Sequence, residues 1–282
     1  MNTDQDNFKN QYINFLDVDI YVDYSNERLK ILNYSCLSMS RIEKIINYAK
    51  QENLGKVIAN CHKKDISIFE EYGFVAEGVI DGFFQGEDAI CMSFFLDKKR
   101  ERSLHEEKEN RIIDYCLKNT NKFELTKNKN YTMRQAVADD IPQMIQLFQT
   151  VFETYPTPIF SSAYLQEVMR DHVLFMVAEE EGEIISIASA DLDKQHMNAE
   201  ITDCATYPKY QGRNIVSELI FQLETHLKHN GFATVYSLSR ANNLGINRSL
   251  SKLGYMYRGR LINNCNICGG FEDMNIWVKS LN

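Results

Sequence analysis

Residues 199–216 read AEITDCATYPKYQGRNIV and combine an apolar strand, a short turn and the start of a helix. Pro208 ends the strand, and apolar side chains recur at helical spacing from Ile215 to Leu227. The first amides of such a helix have no partner within it, and the helix dipole adds roughly half a positive charge there. The turn therefore predicts a phosphate site. With Glu200 as a base on the strand, the pattern indicates group transfer from a phosphorylated carrier.

Composition narrows the class of protein. The 282-residue chain has a net charge of −8 and an isoelectric point of about 5.4. This charge argues against nucleic acid or an anionic membrane surface as a partner, and it suits a cationic amine substrate. The polar N-terminus is unlike a signal peptide, and no apolar run reaches the about 18 residues of a membrane span. We therefore expect a cytoplasmic protein; its oligomeric state stays open, with a homodimer as one alternative.

The seven cysteines are an odd number, and most lie in apolar strand or helix patterns, which favours buried reduced thiols. Cys265 and Cys268 form a C-x-x-C, but neither a second pair nor a nearby histidine completes a zinc site. We expect no metal. Cys204 has no histidine near it in sequence, so we interpret it as a core thiol rather than a nucleophile.

A change in composition divides the chain. Residues 98–130 are rich in charge and then in Asn and Lys, with a short apolar pattern near residues 111–117 that predicts a linking helix. The predicted organisation is an N-terminal domain at 1–100, a linker at 101–130 and a second domain at 131–282.

The second domain alternates strands and helices, which predicts an α/β fold with a mixed sheet covered by helices. Asp139 or Asp140 is predicted to cap its first helix. The expected helices cover 141–148, 162–170, 215–227 and 246–253, and the expected strands cover 131–136, 173–179, 183–191, 199–206, 234–238, 255–261 and 273–278.

The two ends of the chain contain a repeat. The matching segments are 72–80 with 253–261, in which Gly78 falls on Gly259, and Glu87-Asp88 with Glu272-Asp273. Upstream, residues 42–72 follow the helix, strand, helix order of residues 215–253. The N-terminal part is therefore predicted to be a partial copy, and because it lacks the glycine-containing turn we expect it to bind no phosphate carrier.

The turn at 211–216 resembles the acetyl-CoA motif Q/R-x-x-G-x-G/A of the GNAT superfamily of N-acetyltransferases, with Asn214 and Val216 at the two small-residue positions. Residues 131–282 resemble this superfamily throughout. The runs at 77–88 and 259–279 resemble more narrowly the β-lysine N-acetyltransferase family, over nearly the whole chain. The resemblance implies a mostly antiparallel GNAT-like sheet with flanking helices, preceded by the partial copy.

The same resemblance implies the chemistry. Acetyl-CoA would be the co-substrate, and its acetyl group would pass within a ternary complex to the side-chain amine of β-lysine, giving the compatible solute Nε-acetyl-β-lysine. The residues implied in binding acetyl-CoA are Cys204, Ala205, Thr206, Gln211, Gly212, Arg213, Asn214, Ile215, Val216 and Asn243. The backbone amides of the first three would stabilise the oxyanion.

Transfer to an amine requires a base, because a lysine-like ammonium has a pKa of about 10.4. Glu200 is the first choice, since it matches the base of the histone acetyltransferase branch; the alternative is a solvent-facing or salt-bridged Glu200. Asp203 is a second base or an ammonium ligand, although strand alternation separates it from Glu200 unless the strand bulges. The usual acid position holds Leu250, so the candidate substitute acids are Tyr255 and Tyr257. The alternative is that each packs on a strand, and a thiol with a pKa of about 8.5 can leave without an acid.

The substrate carries two amines and a carboxylate. Candidates for its carboxylate are Arg134, Arg258 and Arg260, and candidates for its amines are Glu153, Asp203, Glu272 and Asp273. Two alternatives stay open: Glu272-Asp273 supports the strand, or both copies contribute to one substrate pocket. A regulatory CoA-binding module, or an acetyltransferase for a protein lysine or polyamine, are the competing functions.

Overall fold

The computed structural model describes residues 10–119, 122–127, 129–267 and 269–282, which leaves Cys268 of the C-x-x-C outside the described residues. The strands are β1 Gln11–Phe15, β2 Val18–Asp23, β3 Arg28–Tyr34, β4 Lys56–His62, β5 Val75–Phe84, β6 Glu87–Phe95, β7 Thr132–Gln135, β8 Val173–Glu180, β9 Glu183–Asp193, β10 Asn198–Thr206, β11 Thr234–Arg240, β12 Met256–Ile267 and β13 Gly270–Ser280. The helices are α1 Met39–Gln51, α2 Ile66–Tyr72, α3 Glu106–Lys118, α4 Ile141–Val151, α5 Ser162–Asp171, α6 Ile215–His229 and α7 Leu244–Lys252. Among the described residues, each helix is too short or too polar to cross a lipid bilayer.

All strands join one sheet in the order β1-β2-β3-β4-β6-β5-β12-β13-β11-β10-β9-β8-β7. Read outward from β5 and from β12, six strands follow the same order on each side, with β7 added at the C-terminal edge, and β3–β4 and β10–β11 are the corresponding parallel pairs. We call β1–β6 with α1 and α2 the N-terminal half, and β7–β13 with α4–α7 the C-terminal half. The mixed, mostly antiparallel sheet with flanking helices and the partial N-terminal copy are confirmed.

Corresponding positions in the two halves follow from the parallel pairs. Arg28 pairs with Lys56 at the start of β3 and β4, and Asn198 pairs with Thr234 at the start of β10 and β11. Two residues further along, position 30 of β3 therefore corresponds to position 200 of β10.

The halves meet where β5 and β12 pair at Gly78 and Gly259, the glycines that the repeat aligns. Gly259 has φ +139°, and a Cβ on it would lie 2.4 Å from the Glu77 carbonyl oxygen. A Cβ on Gly78 would lie 2.7 Å from the Arg258 carbonyl oxygen. These distances are below contact, so only glycine permits the approach of the two backbones.

Each of these central strands contains a bulge that is held by an aspartate. In β12 the Asn263 amide, at φ 45°, donates to Asp273 Oδ1 at 2.7 Å. In β5 the Gly82 amide, at φ 67°, donates to Asp88 Oδ1 at 2.9 Å. The repeated acidic pairs thus place equivalent aspartates on equivalent bulges.

The bulge of β12 inserts into the N-terminal half, where buried cations bind its carbonyl oxygens. The contacts are Lys56 Nζ to Ile262 O at 2.7 Å, Arg28 Nη1 to Asn264 O at 2.7 Å and Arg100 Nη2 to Asn263 O at 2.6 Å. The bulge of β5 reaches the other way, and its Phe83 carbonyl oxygen accepts from Asn198 Nδ2 at 2.7 Å. Each half therefore receives a bulge from the other half and supplies the side-chain donors that bind its carbonyl oxygens.

The structure departs from the sequence-based expectations in detail. Strands β12 and β13 are longer than expected because they carry the inserted bulge and its hairpin, and α3 begins earlier, at Glu106. Asp140 occupies the predicted N-cap position, but its side chain binds Arg134 and the Val137 amide rather than the first turn of α4.

Candidate active site

A cleft opens between β10 and β11 because these parallel strands separate soon after they begin. They pair over three positions, from Asn198 with Thr234 to Glu200 with Tyr236. Beyond them the Ser237 hydroxyl still donates to the Ile201 carbonyl oxygen at 2.7 Å. The later part of β10 thus faces a cleft along the side that β11 has left.

A bulge in β10 turns two acidic side chains toward this cleft. The register between β9 and β10 shifts between Thr202 and Ala205, and Asp203 has φ 46°. The shift breaks strict alternation, so Glu200 and Asp203 line the same cavity. From the sequence, Glu200 and Asp203 could share one site only if the strand bulged, and the structure contains that bulge.

The turn after β10 presents the start of α6. Gly212 and Asn214 have φ of +79° and 61°, and nothing lies within 4 Å of a Cβ placed on Gly212. Gln211 Nε2 donates to the Thr206 carbonyl oxygen at 3.3 Å, which ties the turn to the strand. The Val216 side chain packs on the core, so it leaves the first-turn amides accessible. These amides and the open turn fit a pyrophosphate.

The cavity has a volume of about 610 Å³ and lies between the two halves. Lys30, Asn60 and Phe84 line it from the N-terminal half, and Glu200 and Asp203 line it from the C-terminal half. Its size is that of an ordinary small-molecule site. Both copies therefore contribute to one pocket.

The carboxyl group of Glu200 makes neither a hydrogen bond nor an ion pair with any residue in the described part of the chain. Burial raises the pKa of its carboxyl to about 7, although the charge of Lys30 acts in the opposite direction. A carboxyl with a pKa near neutrality and a free face toward the cavity is suited to accept a proton.

Asp203 is held more firmly. Ser189 Oγ donates to its Oδ2 at 2.7 Å, and the Tyr155 hydroxyl lies beside the carboxylate and favours its charged form. Burial raises the pKa of Asp203 above its usual value despite these two hydroxyls. Asp203 is thus oriented within the cavity but has less capacity left for a new proton or ligand than Glu200.

Two further predicted residues, Cys204 and Asn243, also line the cavity, but neither is in a state suited to catalysis. Burial raises the pKa of the Cys204 thiol to about 12, so the sulfur stays protonated. Asn243 Oδ1 accepts from the Gly245 amide at 2.9 Å and caps α7. Neither arrangement provides a nucleophile.

The structure places Tyr255 outside the cavity. Its ring is 4% exposed, its hydroxyl lies at Glu224 under α6, and Lys279 Nζ is 5.6 Å from the ring centre. Leu250 is fully buried in the core. The geometry favours a packing role for Tyr255 rather than that of an acid.

Replacing Tyr255 with Phe is therefore expected to leave kcat nearly unchanged, far from the about 10²-fold loss that removal of a general acid causes. We expect the free energy of unfolding to fall instead, because the buried Glu224 carboxylate loses the Tyr255 hydroxyl beside it. Steady-state kinetics and urea denaturation check both. A loss of kcat in a fully folded variant would restore the tyrosine as an acid.

The remaining predicted substrate residues do not line the cavity. Arg134 binds Asp140 at 2.6 Å and Glu179 at 2.7 Å. Glu153 is exposed, Glu272 binds Arg240 at 2.5 Å, and Asp273 supports the bulge of β12. None of these side chains lines the cavity, so we do not assign them to the substrate.

Sequence reasoning missed three residues of the cavity. They are Lys30 on β3, Tyr155 in the segment between α4 and α5, and Asp191 on β9, which pairs with Glu200 in the ladder. Extending the repeat back to β3 would have placed Lys30 opposite Glu200. No local pattern marks Tyr155 or Asp191.

Comparisons with known proteins agree with this geometry. Residues 141–255 match the sequence profile of the Acetyltransferase (GNAT) family. A β-lysine N(6)-acetyltransferase of Methanosarcina mazei is 39% identical over 254 residues, which cover 83% of this chain and 94% of that protein. The N-acetyltransferase YodP of Bacillus subtilis is 35% identical, covering 92% and 94%. A β-lysine N(6)-acetyltransferase of Methanococcus maripaludis is 29% identical, covering 92% and 95%.

Proposed function

The chain belongs to the GNAT family of acetyl-CoA-dependent N-acetyltransferases, and on that premise we propose that its acceptor is a small diamino acid, β-lysine. The product is Nε-acetyl-β-lysine. Acetylation removes one of two ammonium charges and leaves a zwitterion without net charge, as suits a compatible solute. Two of the similar proteins carry the name of this activity over most of their length.

The observation that carries the proposal is the mixed charge of the cavity. Glu200, Asp203 and Asp191 place carboxyl groups around it, and Lys30 places an ammonium group in it. A ligand with two ammonium groups and one carboxylate complements this set. The cavity lies between the halves, which favours a small molecule over a protein lysine.

The donor is expected along the cleft. The first-turn amides of α6 would hold its pyrophosphate, with Asn214 and Gly212 shaping the turn. The backbone amides of residues 204–206 would stabilise the oxyanion, since donors fixed in advance cost little reorganisation. Asn243 lines the cavity next to this cleft.

Within the ternary complex Glu200 accepts a proton from the side-chain ammonium of the acceptor. The neutral nitrogen then forms a bond to the acetyl carbon, and the carbon–sulfur bond breaks. The sulfur leaves as a thiolate, and the nitrogen releases its second proton through solvent to that thiolate, so the protein need supply no acid because a thiol has a pKa of about 8.5.

The test is release of free thiol when the purified protein is incubated with acetyl-CoA and a panel of β-lysine, lysine, spermidine and a lysine-containing peptide. We expect the highest kcat/KM for β-lysine, and mass spectrometry should place the acetyl group on its terminal amine. A preference for the polyamine or the peptide would show that the acceptor belongs to that class and is not β-lysine. Binding of CoA without thiol release from any acceptor would indicate a regulatory module.

A further inference from the structure

Lys30 is the N-terminal counterpart of Glu200. Both occupy the third paired position of the parallel ladder, Lys30 on β3 opposite Ile58 and Glu200 on β10 opposite Tyr236. Both residues line the same cavity between the halves. The copy that lacks the glycine-containing turn thus points a cation at the base of the other copy.

The ammonium group of Lys30 has no hydrogen-bond or ion-pair partner among the residues that the structure describes. The ring of Tyr21 lies beside it, with its centre 5.7 Å from Nζ. Lys30 and Glu200 act on each other electrostatically, yet they form no ion pair within 4.0 Å. The space between them can therefore be bridged by a molecule that carries both charges.

The other cations that line the cavity are already engaged. Arg28 Nε binds Asp23 at 2.8 Å, and its Nη1 donates to the Asn264 carbonyl oxygen. Arg240 binds Glu272 at 2.5 Å. A buried cation without a partner is costly, and a bound anion removes that cost. Lys30 is thus the cation in the described part of the cavity that is best suited to an anionic ligand.

We propose that Lys30 binds the carboxylate of the acceptor, so that the N-terminal half selects an amino acid over a plain diamine. This proposal rests on the proposed function and adds a role for the degenerate copy. The reacting amine lies at Glu200, and the carboxylate at the opposite end of the acceptor lies at Lys30. Donor binding and acceptor recognition then belong to different halves.

The test compares β-lysine with its decarboxylated analogue, pentane-1,4-diamine, in wild-type protein and in Lys30→Met. Turnover is followed by thiol release, and binding by calorimetry in the presence of CoA. In Lys30→Met we expect kcat/KM and affinity for β-lysine to fall about 10- to 100-fold, as for the loss of one hydrogen bond to a charged group. Values for the diamine should stay unchanged or rise.

Three controls separate recognition from folding. Lys44→Met removes an exposed lysine from α1 and should alter neither substrate. Lys30→Arg retains the charge and should recover part of the preference for β-lysine. Because Lys30 has no hydrogen-bond or ion-pair partner in the described part of the chain, Lys30→Met should unfold at the same or a higher temperature than the wild type, whereas loss of a structural lysine would lower it.

The outcomes decide between the two proposals. Equal losses for β-lysine and the diamine, or no loss for either, would overturn the role of Lys30 while leaving the acetyltransferase intact. Carboxylate-dependent binding that Lys30→Met abolishes, without turnover of β-lysine, would support the role of Lys30 and overturn the proposed reaction. If wild-type protein binds β-lysine no better than the diamine, Lys30 does not bind the carboxylate.

Discussion

Replacing Glu200 with Gln is expected to lower kcat at pH 7 by about 10²- to 10⁴-fold, the contribution of a general base. The variant keeps the size and polarity of the side chain but cannot take a proton from the ammonium group. The Glu200 carboxyl group has no hydrogen-bond or ion-pair partner among the described residues, so the change breaks no such contact and the protein should stay folded. Thiol release under saturating acetyl-CoA measures the effect.

The pH dependence of the rate tests whether Glu200 is the group that accepts the proton. The pKa of Glu200 is raised to about 7 by burial. The active form is the carboxylate, so kcat/KM of the wild type should rise with pH through about 7. Glu200→Gln should lose this step and recover rate only at higher pH, where the free amine itself becomes populated.

A matched control is Glu43→Gln, which alters an exposed glutamate on α1 and should leave rate and profile unchanged. If Glu200→Gln kept the step near pH 7, the step would belong to another group. A rate equal to that of the wild type would remove Glu200 from the chemistry altogether.

Gly259→Ala is expected to reduce the free energy of unfolding by about 3 kcal/mol or more, at the upper end of what overpacking costs. The new Cβ would lie 2.4 Å from the Glu77 carbonyl oxygen and 2.6 Å from Gly78 Cα. Both are backbone atoms in the centre of the sheet, so relief requires the two strands to separate. Urea denaturation and circular dichroism measure the loss.

Gly254→Ala is the control for backbone strain. Gly254 has φ +86°, and nothing lies within 4 Å of the position that a Cβ would take, so alanine costs only about 1 kcal/mol there. A similar small loss at Gly259 would show that the halves do not depend on this close approach.

The elements near the turn were predictable because their signals are local. Helical spacing from Ile215 and the glycine-containing turn determine α6 and its exposed amides, and the position of Glu200 on the preceding strand follows. The repeat predicted that Gly78 and Gly259 are equivalent. It did not reveal that they touch, since equivalence carries no information on how two copies pack.

The acceptor side of the site was not predictable in the same way. Arg134 and Glu272 have suitable charges, but each forms an ion pair with a nearby residue. Reasoning from one residue at a time does not reveal such ion pairs. Tyr255 follows a glycine that ends a helix, and its burial under α6 depends on packing of distant elements. Lys30 lies about 170 positions away from Glu200 in the chain, and only the shared cavity joins them.

The strand order of the continuous sheet resembles that of a two-fold symmetric dimer, but both halves belong to one polypeptide. In a true homodimer every position occurs twice with the same side chain, so equivalent residues facing each other across the axis would carry like charges. Two glutamates there would repel, and two lysines would leave no base. Because both copies lie in one chain, position 30 can be cationic while position 200 is acidic. Loss of symmetry thus allows a single polar pocket with distinct ends, which an asymmetric acceptor such as an amino acid requires.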